Sequence, residues 1–405
     1  MPKSKLKHDQ EGTTGRYLVL LCKDKPAQAI KALTETAGLS VVSSGASQAG
    51  NRRHYSLADH CAIVFERIGV ALVKCPPEKH QLLGTAAADN DSAILSVEPE
   101  RRVHTIVAKR KNAERPAVVA EDETLLTWGI QATRVAASSY TGKGVRLAVL
   151  DTGLDLTHPD FSGRSIVSLS FVEGEEVQDG NGHGTHCAGI AGGPAKPTVP
   201  PRYGVAGDAE LYIGKVLSNQ GGGADGGVLE GINWAIENEC RIVSMSLGSP
   251  LQEGQSYSRV FEEVAKRALH AGTVIIAAAG NDSERPGYIA PVSHPANCPS
   301  IVAVGALDSS LQIAPFSSGG LVPDGGQVDV AAPGVAVLSA WPEPKRYNTI
   351  SGTSMATPFV SGIAALHAQA EPDARGRVLL SLILQSTRRL ELPSRDAGAG
   401  LIQAP

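Results

Sequence analysis

The chain has 405 residues, of which 42% are apolar and 19% charged, and its net charge is -4. That balance belongs to an ordinary globular protein with room for two domains. It gives no basic surface for nucleic acid, and no apolar run reaches the roughly 18 residues that cross a bilayer. The six cysteines (Cys22, Cys61, Cys75, Cys187, Cys240 and Cys298) include no close pair, so free thiols are expected rather than a metal knuckle. Residues 1–8 are basic and lead into polar sequence, not an apolar run. No secretory signal is read there, so a cytoplasmic location is expected, with secretion the alternative.

In chain order, residues 1–15 read as a polar tail and 16–22 as a buried strand. Pro26 opens a helix in which Ile30, Leu33 and Ala37 share a face, and Gly38 closes it before a strand at 39–42. The apolar runs 61–66 and 70–75 flank Arg67-Ile68-Gly69 and suggest a hairpin. A second helix over 77–87 and a last strand within 93–106 complete a β-α-β-β-α-β order, the ferredoxin-like pattern, over residues 16–107. Residues 108–120 are polar, basic and proline-bearing, and read as a linker.

From residue 121 to 405 the character changes. Apolar strands at 146–150, 210–217, 241–247, 273–278 and 301–304 alternate with helical stretches such as 227–237 and 258–271. Alternation of this kind predicts an α/β domain: a mostly parallel sheet with helices on both faces and ligands at the carboxyl ends of its strands.

Three glycine-bearing stretches carry the chemistry. Asp151, at the end of an apolar strand, lies in Val149-Leu150-Asp151-Thr152-Gly153, His183 lies in Gly182-His183-Gly184-Thr185-His186, and Ser354 lies in Gly352-Thr353-Ser354-Met355-Ala356. A serine hydroxyl is a poor nucleophile until a base takes its proton, and a histidine oriented by an ionised aspartate supplies that base. Ser354 opens an apolar helix, so its backbone N–H points where an oxyanion would form. Asn281, after Ala277-Ala278-Ala279-Gly280, offers a second donor. An esterase of the Gly-x-Ser-x-Gly kind is excluded by the sequence around Ser354 and by the order Asp, His, Ser.

With Asp-Thr-Gly, His-Gly-Thr-His, Ala-Ala-Gly-Asn and Gly-Thr-Ser-Met-Ala-Thr-Pro in this order, residues 121–390 resemble the subtilases, the subtilisin-like serine proteases. The resemblance implies an endopeptidase acting on polypeptides held as a strand between two walls. Ser246, Leu247 and Gly248 match one wall and Gly221, Gly222 and Gly223 the other. Ala278, Ala279 and Gly280 would line the specificity pocket, with Asp282 at its rim or facing solvent. The amino-terminal domain resembles a subtilase propeptide, which implies an intramolecular inhibitor released by cleavage within 106–124. A catalytically silent or permanently inhibited binding protein is the alternative.

No cofactor is implied as required. Asp160 matches a calcium ligand of many subtilases, yet the partner loop 192–202 holds no Asp, Asn or Glu, and calcium wants about six to eight oxygens. His186 and Cys187 read as structural. His294 and His367 have no partner visible in the sequence.

Overall fold

The computed structural model describes residues 12–44, 61–89, 91–106, 108, 122–251, 254–321 and 325–405. The tail before residue 12 and nearly all of the expected linker lie outside them.

The amino-terminal unit comprises β1 (Thr13–Leu21), β2 (Ser40–Ser43), β3 (Cys61–Phe65), β4 (Val70–Lys74) and β5 (Ile94–Thr105), with helices Pro26–Lys31 and Pro77–Ala87. The strands lie in the order β5-β1-β4-β3-β2. The three strands read between the helices all form, with β2 adding to β3 in parallel as a short edge, one strand more than the β-α-β-β-α-β order holds. One sheet face buries Val19, Leu33, Leu83 and Ile94 in a core of its own. The other face, through Leu18, Leu20, Phe65 and Leu72, packs against Val228, Val260 and Phe261 of the larger unit.

That larger unit is built on a nine-stranded sheet in the order β17-β18-β14-β13-β12-β10-β6-β8-β7. Its strands are β6 (Arg146–Asp151), β7 (Ile166–Ser170), β8 (Glu210–Lys215), β10 (Ile242–Met245), β12 (Val274–Ala278), β13 (Val302–Leu307), β14 (Val330–Pro333), β17 (Thr387–Arg388) and β18 (Leu401–Ile402). Every pairing is parallel except β17 with β18. Both faces are covered: Leu147 and Val149 of β6 enter one core with Ile190, Met355 and Val360, while Ala148 and Leu150 enter the other with Val228 and Val264. This alternation follows from the period of two along a strand. A separate hairpin joins β15 (Val337–Ala340) and β16 (Tyr347–Ile350).

Two features place a site. After β6 the chain builds β7 and β8 on one side, then crosses to β10 on the other. The carboxyl end of β6 is therefore a topological switch point, where open α/β sheets leave a crevice. Over that crevice β5 leaves its own sheet and pairs antiparallel with β9 (Gly222–Ala224) on one side and β11 (Leu247–Gly248) on the other.

Candidate active site

Asp151 is the last residue of β6, His183 the first of helix His183–Gly192, and Ser354 the second of helix Thr353–Ala370. Asp151 Oδ1 lies 2.8 Å from His183 Nδ1 and also accepts the Thr152 N–H at 2.7 Å. Both side chains are 1% exposed. Burial resists a charge on His183, but the neighbouring Asp151 carboxylate, with Cys187 adding, holds the ring well above its ordinary value.

The approach of the two elements is fixed by Asp179, which the sequence reading did not single out. One carboxylate oxygen accepts from Thr152 Oγ1 at 2.9 Å, Asn181 N at 2.9 Å and Gly182 N at 2.8 Å. The other accepts from Thr185 N at 2.9 Å and Thr185 Oγ1 at 2.7 Å. Thr152 Oγ1 in turn accepts from Gly184 N at 2.8 Å. A Cβ on Gly184 would sit 2.3 Å from the Gly153 carbonyl, so only glycine permits this approach.

Among the described residues no hydrogen bond joins Ser354 Oγ to His183. Ser354 Oγ lies 2.5 Å from the carbonyl oxygen of Ile106, just beyond β5, and 3.2 Å from that of Ser246. His183 Nε2 is buried without a hydrogen-bond partner among the described residues. Asn281 Nδ2 donates to the same Ile106 oxygen at 2.9 Å. Its Oδ1 accepts from both the N–H and the hydroxyl of Thr353, each at 2.9 Å, so the residue beside the nucleophile aims the amide.

The chain's own strand β5 runs between β9 and β11. Arg102, Val103 and His104 pair with Ala224, Gly223 and Gly222, and Thr105 N donates to Gly221 O at 2.9 Å. On the far side Thr105 pairs with Leu247 and His104 with Gly248. A Cβ on Gly248 would meet the Ile106 side chain at 2.9 Å and the His294 carbonyl at 2.5 Å. Ser246 lies deeper, donating its hydroxyl to Ser354 O at 2.8 Å. Beside Ile106 is a cavity of about 110 Å³ lined by Gly248, Ser249, Asn281, Asp282 and Ser293, among others. Asp282 is exposed at this lining. Ala278 and Ala279 are buried and do not line the cavity, and Gly280 donates its N–H to Thr353 Oγ1 at 3.2 Å.

The amino-terminal unit is also held by charge. Glu98 accepts from Ser258 Oγ at 2.6 Å and Val260 N at 3.1 Å, at the start of helix Arg259–Ala271. Glu100, fully buried and paired with Arg16, accepts from Gly226 N at 2.9 Å at the start of helix Asp225–Glu237. Arg267 donates to the carbonyls of Leu21, Ile68 and Gly69 at 2.7–3.1 Å.

The Asp160 carboxylate is engaged by hydrogen-bond donors. It accepts from Thr198 N, Thr198 Oγ1 and Tyr203 Oη, each at 2.6 Å, and from Tyr347 Oη at 3.0 Å. Burial pushes its carboxyl up, and these bonds outweigh that and hold it below its usual range. Donors from three side chains and an amide satisfy an anion here. His186 Nε2 lies 3.0–3.1 Å from the carbonyls of Val337 and Asn348, and burial lowers the ring to about 3. Cys187 Sγ is 3.8 Å from His183 Nδ1, and burial pushes its thiol up. All six cysteines are free. No helix among the described residues is long and apolar enough to cross a membrane.

Residues 142–400 match the Subtilase family. Subtilisin E of Bacillus subtilis (strain 168) is 41% identical over 237 residues, which is 58% of this chain and 58% of the relative. The chain thus spans under two thirds of Subtilisin E. The subtilisin of Bacillus pumilus is 40% identical over 58% of this chain and 81% of its own length. The alkaline protease of Alkalihalobacillus alcalophilus is 36% identical over 344 residues, 84% of this chain and 79% of the relative. With the Asp151–His183 pair, the switch-point crevice and this match in hand, the chain belongs to the subtilase family.

Proposed function

We propose that the chain is a serine endopeptidase, made as a self-inhibited precursor whose first substrate is its own bond between Ile106 and Val107. The observation that carries this reading is the Ile106 carbonyl oxygen, met by Ser354 Oγ and Asn281 Nδ2 together while residues 102–105 lie as a strand between the two walls. Neutral His183 takes the Ser354 proton at Nε2 as Oγ adds to the Ile106 carbonyl carbon. Asp151 keeps the remaining proton on Nδ1 and steadies the imidazolium. The oxyanion forms against Asn281 Nδ2 and the Ser354 amide. As the carbon–nitrogen bond breaks, His183 returns the proton to the leaving amine, and water activated by the same ring hydrolyses the acyl-enzyme. The inhibitor domain, expected over residues 16–107, then ends at Ile106, with 108–120 as the linker and 121–405 as the catalytic domain.

A second reading is supported by how completely the amino-terminal unit is docked, through Glu98, Glu100, Arg267 and a shared apolar face: a permanently inhibited protein that binds but does not cut. Mass spectrometry of the wild type and Ser354→Ala over time separates the two. The wild type is expected to yield a fragment ending at Ile106, and the variant to stay whole. A wild type that stays whole and takes up no fluorophosphonate label rules out the enzyme reading; processing of Ser354→Ala rules out self-cleavage.

A further inference from the structure

The register of the bound strand carries one step more. On the β9 side, Thr105 bonds Gly221 and Val103 pairs with Gly223, so the next rung falls between Arg101 and residue 225. Yet β9 ends at Ala224, and Asp225 begins a helix, which turns its backbone carbonyl into the helical ladder. The rung is made by a side chain instead: Arg101 N donates to Asp225 Oδ2 at 3.0 Å. Asp225 is fully buried, and its other oxygen lies 2.9 Å from His294 Nε2. His294 is 1% exposed, packs edge-on against Phe261 with ring centroids 4.6 Å apart, and exchanges two backbone hydrogen bonds with Ser249, next to β11. The Asp225–His294 pair therefore ties one cleft wall to the other behind the strand.

We infer that Asp225, held in place by His294, is a substrate-binding residue that accepts the main-chain N–H of the sixth residue before the scissile bond. It lengthens the recognised segment without reading a side chain, because it binds backbone. The inference rests on the proposed endopeptidase reading. A neutral main-chain donor bonded to a buried carboxylate is worth about tenfold or more in binding.

The test uses the wild-type chain after it has processed itself. Two acetylated peptides of residues 100–106 carry a terminal p-nitroanilide, and one has an ester oxygen in place of the Arg101 N–H. The amide peptide is expected to show about tenfold higher kcat/KM than the ester. That ratio should fall to near one in Asp225→Ala and to an intermediate value in Asp225→Asn. Equal kcat/KM for the two peptides in the wild type overturns the inference. If neither peptide is cut, the proposed activity fails instead, and the inference is read in the unprocessed full-length Ser354→Ala chain. There, adding Asp225→Ala should speed hydrogen exchange of the Arg101 amide about tenfold relative to that of Val103. Unchanged exchange overturns it.

Discussion

Asn281 is held at both ends of its amide, with Oδ1 fixed by Thr353 and Nδ2 left to the Ile106 oxygen. Such a donor needs no reorganisation as charge develops on that oxygen. Asn281→Ala should slow self-cleavage about 100- to 1000-fold, a range that comes from subtilisins themselves, while the Ile106 strand stays docked. Quantifying the fragment ending at Ile106 against time checks this, and a loss under tenfold contradicts it. The pH dependence follows from His183. Burial opposes a charge on the ring, but Asp151 outweighs it and holds the ring well above its ordinary value, and only the neutral ring accepts from Ser354. Self-cleavage should therefore accelerate as pH rises through neutrality and beyond; a rate that falls over that window reverses the sign. At this scale Asp151, His183, Ser354 and Asn281 could be singled out because each sits in a short local motif, and the structure brings Asp151 and His183 together. Asp179, Ile106 and the Asp225–His294 pair could not, since their meaning lies in contacts across the chain: Ile106 meets Ser354 across 248 positions and Asp225 meets His294 across 69.

The elements are joined by borrowed caps. Helix Asp225–Glu237 has no side-chain cap from its own N-cap residue, and Glu100 of the amino-terminal unit accepts from its Gly226 N–H. Glu98 does the same beside Ser258 for helix Arg259–Ala271. An anion at a helix start is stabilised by the unpaired amides and the dipole together. In a Ser354→Ala background, Glu98→Ala with Glu100→Ala should lower stability by about 1–3 kcal/mol in urea unfolding, and an unmoved midpoint denies the caps a role. The long elements were readable from periodicity: the helices over 77–87 and 258–271 and the strand ending at Asp151 fall within a residue or two of their expected bounds. β17 and β18, two residues each, show no pattern to read. β9 and β11 are strands through their pairing with β5, a relation no local window contains.

The whole molecule shares one of its cores between units. Leu18, Phe65, Leu72 and Val103 lie in the same apolar cluster as Val228, Val260 and Phe261. Unfolding one unit strips the other of that contact, so the unprocessed Ser354→Ala chain should melt in a single calorimetric transition; two resolved transitions refute this coupling. The sequence shows a change of pattern from residue 121, but not the shared core, because an apolar residue on a strand does not announce which neighbour covers it. One small feature bears on how the molecule behaves in time. Ile106 leaves a cavity of about 110 Å³ beside it, with Asp282 at its lining. The chain's own strand is thus an imperfect fit where a longer side chain would fill the space. On the proposed mechanism it acts as a placeholder: tight enough along its length to keep the cleft closed during folding, and loose enough at its tip to yield to a better guest.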